Sequence, residues 1–266
     1  MRSILALVRV AMLSAASYRI ATVFSFVALL ATVVPIYFIS GAIQPIVQDS
    51  IQLEGGQYFG FLIVGIGATY VLATAVGAVP SAIAGSIGNG TFEALLVTRT
   101  PLPVILVGLA GYPLLQSILR AILLLVGAAV IGVEVHWSAL PYVLLILMLL
   151  IVAYGSIGLV AAALVLVFRT SGPLLTAVIA GSGLLGGVYY STTVIPAWLQ
   201  SLSAIVPLTY ALRATRVVLL AGGSWGAGLG DVLILSVFAG TGVLVGSAVF
   251  GLALRHARSS GTLSQY

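Results

Sequence analysis

An all-α bundle of six membrane-crossing helices is the fold class this sequence predicts, on three observations. Hydrophobic residues make up 61% of the 266 residues and charged ones 6%, with a mean hydropathy of +1.27. A water-soluble domain carries roughly a quarter charged residues, so this chain cannot cover a water-facing surface. Apolar stretches of about 20 residues, the length that crosses the hydrocarbon, recur along it. Most of the ten basic residues, all arginine, gather on one side of the membrane once six spans are counted.

The elements follow in order. "MRSILALVRVAMLSAASYRI" has a charged front and an apolar middle broken by Arg9. It predicts an interfacial helix over residues 1–19 anchored by Arg2, Arg9 and Arg19, although Leu5, Met12 and Leu13 share the arginine side. The first span is expected at 21–41, and a polar loop with Gln48, Asp49, Gln52 and Glu54 leads to the second at 58–80. After a polar segment at 86–101 the third span covers 103–133, longer than the bilayer requires, so it tilts or overhangs. Glu134, His136 and Trp137 mark the next turn, the fourth span covers 140–168 and stops at Arg169, and the fifth covers 173–193.

The segment 195–221 differs. Pro196 and Pro207 each deny a helix its interior hydrogen bonds. The resulting pieces, about ten and fourteen residues, are too short for about 30 Å of hydrocarbon at 1.5 Å per residue. They predict a re-entrant pair, followed by a last span at 230–254. With the N-terminus inside, six spans put Arg2, Arg9, Arg19, Arg99, Arg169, Arg255 and Arg258 in the cytoplasm, and Asp49, Glu54, Glu134 and Asp231 outside. A seventh span would carry Arg255 and Arg258 outside, against the positive-inside bias. The reading is one membrane domain over 1–266, a multi-pass cell-membrane protein with both termini cytoplasmic.

Composition also narrows the chemistry. With no lysine there is no P-loop lysine or Schiff base, and with no cysteine no thiolate nucleophile, Fe–S cluster or disulfide. His136 and His256 lie near the ends of different spans, and the five acids are scattered. No catalytic, cofactor-binding or metal site is expected, so energy for driven work must come from another chain. The high pI of about 9.7 reflects thinly spread arginines, read as topology determinants and not as a nucleic-acid surface.

Within 86–101, "SIGNGT" supplies turn residues, Asn89 or Thr91 can cap a short helix "FEALLV", and Glu93 sits near its positive end. Arg99 and "TPLP" end it. Phe92, Leu95 and Leu96 then face the cytosol, as an interaction surface or as an interfacial turn on the headgroups.

"GNGTFEALLVTRTPLPVILVG" resembles the Gly-Thr-x-Glu-x-Leu-Leu-x-Thr-x-x-Pro segment of ABC-2-type transporter permeases. "LLGGVYYSTTVIPAWLQSLSAIVPLTYALRATRVVLLAGGSW" is similar to the fifth span and re-entrant helices of that family. The resemblance implies that Thr91, Phe92, Glu93, Leu95, Leu96 and Arg99 belong to a coupling surface that docks on a separate ATP-hydrolysing subunit. It implies that Pro196, Trp198, Pro207 and Tyr210 shape an extracellular gate. The family's charge run before the Gly-Thr pair is absent here, "AGSIGNGT" being uncharged, which shifts docking toward apolar contact. ATP and magnesium would be bound by two copies of the partner, and a second permease copy, identical or similar, would complete the pathway in the lipid.

Tyr189 and Tyr190, with Trp198 and Tyr210, fall near the outer interface, where aromatic belts and a gate of stacked rings are both consistent with them. Arg120 lies inside the third span, and either pairs with Glu134 or Asp231 or lines the pathway and meets an anionic group. Gly242 and Gly246 form a GxxxG suited to close helix packing. The sequence therefore predicts the permease subunit of an ATP-driven exporter of an amphipathic or lipid-linked cargo. A secondary transporter or channel-like protein is the alternative.

Overall fold

The computed structural model describes residues 19–91, 97, 101–168 and 170–259. The interfacial helix expected over 1–19, except its last residue, lies outside them, as do Phe92, Glu93, Leu95, Leu96, Arg99 and Arg169.

All regular structure among the described residues is helical. The order is α1 (Arg19–Ala31), α2 (Val33–Val47), a 3-10 turn (Gln48–Glu54), α3 (Tyr58–Gly88), α4 (Leu102–Ile131), α5 (Leu140–Phe168), α6 (Gly172–Leu185), α7 (Ala197–Ser203), α8 (Pro207–Leu219) and α9 (Leu229–Ser259). Five helical stretches are long and apolar enough to cross a membrane, with α1, α2 and the 3-10 turn counted as one. α7 and α8 meet at a bend of 92°, as a broken or re-entrant segment does.

Most boundaries agree with the apolar runs, and the departures have local causes. α2 runs past Gly41 to Val47, and its hydrogen-bond ladder still holds at the end, where the Gln48 N–H donates to the Gln44 carbonyl. α3 continues through Pro80 to Gly88 and closes in a Schellman turn. Gly90, at φ +66°, lets its own N–H reach the Ile87 carbonyl at 2.9 Å and the Thr91 N–H reach Ser86 at 2.9 Å. Thr91 is thus tied to the end of α3, where its hydroxyl also donates to Ser86 at 3.3 Å.

The fifth apolar stretch corrects the expectation most. Its helix stops at Leu185, eight residues before the expected end at 193. Gly187 takes φ +76°, and the chain from there to Pro196 is non-helical. At 14 residues α6 covers only about 21 Å. Hydropathy reports that a residue prefers lipid to water and does not report whether its backbone is helix or coil.

α3 and α5 form the centre, packing on each other, with α4 against α3 and α9 against α5. Leu72, Val76, Ile146, Leu150 and Tyr154 are fully buried along this seam. The Tyr154 hydroxyl is satisfied by Ser182 of α6 at 2.9 Å. Small residues let the backbones approach, as helix packing in lipid requires. A Cβ on Gly158 of α5 would stand 2.7 Å from the Val76 carbonyl oxygen of α3, and one on Gly246 of α9 2.5 Å from that of Ser156.

Candidate functional site

The densest polar structure gathers where the α7–α8 hairpin meets the start of α3. α8 begins at Pro207, whose fixed φ suits the first helical position. Leu208, Thr209, Leu212 and Arg216 of α8 face inward. Arg216 is 2% exposed. Its Nη1 donates to Glu54 Oε2 at 3.1 Å and to the Gly187 carbonyl at 3.0 Å. Its Nη2 donates to Phe61 O at 3.0 Å and Val188 O at 3.2 Å. The guanidinium lies 3.3 Å from the centre of the Phe61 ring, a cation–π contact. Ser191 donates to the other Glu54 oxygen at 3.0 Å.

This arrangement explains why a charge is buried here. The chain after α6 is irregular, and its carbonyls have no helical partners. Non-helical backbone is tolerated at membrane depth only when protein or enclosed water satisfies it. Arg216 supplies that satisfaction to Gly187 and Val188, and Glu54 supplies the counter-charge. One side chain therefore joins α8, the chain after α6, the Gln48–Glu54 turn and α3. A further link is the Tyr58 hydroxyl, which donates to Tyr189 O at 2.8 Å.

Gly187 is bound to its left-handed geometry. A Cβ there would stand 3.0 Å from Tyr190 O and 2.9 Å from Thr192 Cγ2. Gly187→Ala is expected to lower stability by about 1–3 kcal/mol, read as a fall in the thermal unfolding midpoint of the detergent-solubilised chain.

The residues expected at the gate lie around this network. Pro196 caps α7 and Pro207 opens α8. The Tyr190 hydroxyl donates to Leu184 O, and that of Tyr210 to Ala204 O at 2.8 Å. Tyr189 and Trp198 are exposed. The rings of Tyr189, Tyr190, Trp198 and Tyr210 form no stack with one another among the described residues. The Tyr210 ring instead lies 6.0 Å from that of Phe238 of α9, and the Arg213 guanidinium stands 5.6 Å from the Tyr210 ring centre. The corner between α7 and α8 is held by Thr209, whose hydroxyl donates to Ser203 O at 2.9 Å.

The pairing expected for Arg120 is corrected. Asp231 is taken by Arg213, whose Nε reaches Oδ2 at 2.8 Å. Glu134 lies in the loop beyond α4, where its backbone N–H donates to Gln57 Oε1 at 3.3 Å. Arg120 donates instead from Nη2 to Ser25 Oγ of α1 at 2.8 Å. Eleven residues of α4 separate Arg120 from Ile131, about 16 Å of rise, so Glu134 is out of reach.

Sequence reasoning placed Glu54 outside the membrane and did not join it to Arg216 of the re-entrant segment. The available signal was that a lone carboxylate and an arginine in an inward-facing position of an apolar hairpin each need a partner.

The ABC-2 type transporter family model matches residues 2–220, from the start of the chain through the hairpin. Inner membrane transport permease YadH of Escherichia coli (strain K12) is 29% identical over 196 residues, covering 73% of this chain and 72% of that protein. Nodulation protein J of Rhizobium leguminosarum bv. viciae is 28% identical over 170 residues, covering 64% of this chain and 65% of that protein.

Proposed function

The chain belongs to the ABC-2 type transporter family, and on that premise we propose that this permease subunit forms half of an ATP-driven exporter. The observation that carries the proposal is the extent of the match, which includes both the polar segment 86–101 and the hairpin through Leu219. A second copy or a similar permease completes the pathway, and two ATPase subunits on a separate chain bind ATP and magnesium. The cargo is an amphipathic or lipid-linked molecule taken from the cytoplasm or inner leaflet.

In this reading, ATP binding brings the two ATPase subunits together and displaces the surface formed by Thr91, Phe92, Glu93, Leu95, Leu96 and Arg99. The surface can move the bundle because it makes different contacts with the two ATPase states. Thr91, hydrogen-bonded to the last turn of α3, passes that displacement into a core helix. The far end of α3 holds the hairpin through Phe61 and the chain before it through Tyr58, and Pro196, Trp198, Pro207 and Tyr210 lie on or beside the hairpin that would part.

Glu93→Ala is the direct test. The expected outcome is normal insertion and folding, weaker co-purification of the ATPase, and export reduced at least severalfold. Normal co-purification together with normal export removes Glu93 from the coupling surface. Stimulation of transport by an ion gradient in the absence of ATP would instead favour a secondary transporter.

A further inference from the structure

Of the arginines with described side chains, Arg255 is exposed near the end of α9, and two are matched with acids: Arg216 with Glu54 and Arg213 with Asp231. Arg120 is the exception. Its one hydrogen-bond partner is the Ser25 hydroxyl, and its Nε is buried with no partner. It stands eighteen residues inside α4, about 27 Å along the axis from Leu102. That depth excludes Glu134, beyond the other end of the helix. A guanidinium near the middle of a membrane-length helix, answered by one neutral hydroxyl, is costly to maintain.

Arg120 is not isolated. Tyr112 and Gln116 precede it at intervals of four residues, so the three side chains form a gently winding row along about 12 Å of α4. All three are partly exposed. Among the described residues, neither the Tyr112 hydroxyl nor the Gln116 carboxamide has a protein hydrogen-bond partner. One turn beyond Arg120 the row is shut: Leu124 is fully buried, and Gly127 packs on Leu30 of α1, which an added Cβ would approach to 3.2 Å. The row is thus closed toward Ile131, and on the other side of Tyr112 Gly108 is buried, so the row is confined to Tyr112, Gln116 and Arg120.

The geometry points to a binding track for the anionic headgroup of an amphiphile, with Arg120 as the charge that holds it. A guanidinium presents a planar fork of donors matched to the oxygens of a phosphate or carboxylate. Gln116 and Tyr112 add hydrogen bonds along the way, while alkyl chains remain in lipid. The inference rests on reading the chain as a transport permease and narrows its cargo to amphiphiles bearing an oxyanion. A resident anionic phospholipid offers the same chemistry, and the test separates the two sources.

The test uses the purified chain in phosphatidylcholine nanodiscs with two photoreactive probes, dodecyl phosphate and dodecyl maltoside. Arg120→Gln is expected to reduce phosphate labelling about tenfold or more, as loss of a charge-assisted contact does, with maltoside labelling unchanged. Arg120→Lys should retain part of it. Equal phosphate labelling of wild type and Arg120→Gln overturns the proposal. Should Arg120→Gln fail to fold, Gln116→Leu carries the test, with severalfold weaker phosphate labelling expected and undiminished labelling overturning the track. Adding phosphatidylglycerol to the nanodiscs abolishes labelling if a bilayer lipid is the occupant and spares it if a separate cargo is. The readout needs no ATP, so its failure leaves the permease reading standing. Intact labelling without ATP-dependent export would count against that reading alone.

Discussion

Glu54→Gln is expected to destabilise the chain by about 3–5 kcal/mol, because it leaves a buried guanidinium without its counter-charge. Arg216 is 2% exposed and cannot turn to solvent without leaving the Phe61, Gly187 and Val188 carbonyls. The loss should appear as a large drop in the thermal unfolding midpoint in detergent, with early proteolysis in the 186–196 segment. A paired substitution makes the argument sharper. Replacing a buried ion pair with apolar residues of similar size is often neutral, so Glu54→Leu with Arg216→Met would recover all the stability if the pair were all that mattered. Here the guanidinium also satisfies three carbonyls, and the double variant should recover only part. Full recovery would show that those carbonyls do not depend on Arg216.

The second large effect is expected at the α5–α9 seam. Gly246→Val places side-chain atoms where the Ser156 backbone stands, since even a Cβ would lie 2.5 Å from its carbonyl oxygen. Forcing extra volume into a packed interface costs about 1–3 kcal/mol when the surroundings can shift. At this position the obstructing atoms are helix backbone, so the upper part of that range or more is expected. Gly242 faces the Ser156 side chain in the same seam. Gly240 and Gly251 on the same helix have open space at the Cβ position. Gly251→Ala should therefore be neutral or slightly stabilising, because alanine favours helix over glycine. Comparing the unfolding midpoints of Gly246→Val and Gly251→Ala separates steric packing from helix propensity. Equal losses would remove the close-approach argument.

Where strong local signals bounded an apolar run, the sequence was sufficient. The fourth span is an example: Trp137 and the loop before it mark one end and Arg169 the other, and α5 occupies Leu140–Phe168 as expected. The two prolines of the hairpin were equally legible, because Pro196 and Pro207 act on their own backbone. The early end of α6 was not, since it depends on Gly187 entering a left-handed conformation that the rest of the fold stabilises. Nor was the Arg216–Glu54 pair, whose members are brought together only by the packing of four separate segments. The ion pair expected as one alternative for Arg120 fails for a related reason. Charges were matched by the side of the membrane they occupied, but a side chain reaches only its immediate surroundings, and helical rise separates Arg120 from Glu134.

α3 is a single helix from Tyr58 to Gly88. Its last turn is bonded to Thr91, and Phe61 near its start accepts a hydrogen bond from Arg216. About 40 Å of rise lies between Phe61 and Gly88, so the helix is a lever as well as a wall. A tilt of about 5° about one end carries the other through about 3–4 Å over that length. A movement of that size exceeds the tolerance of a hydrogen bond, so a slight rocking of the helix would be enough to shear the arginine away from its acceptors.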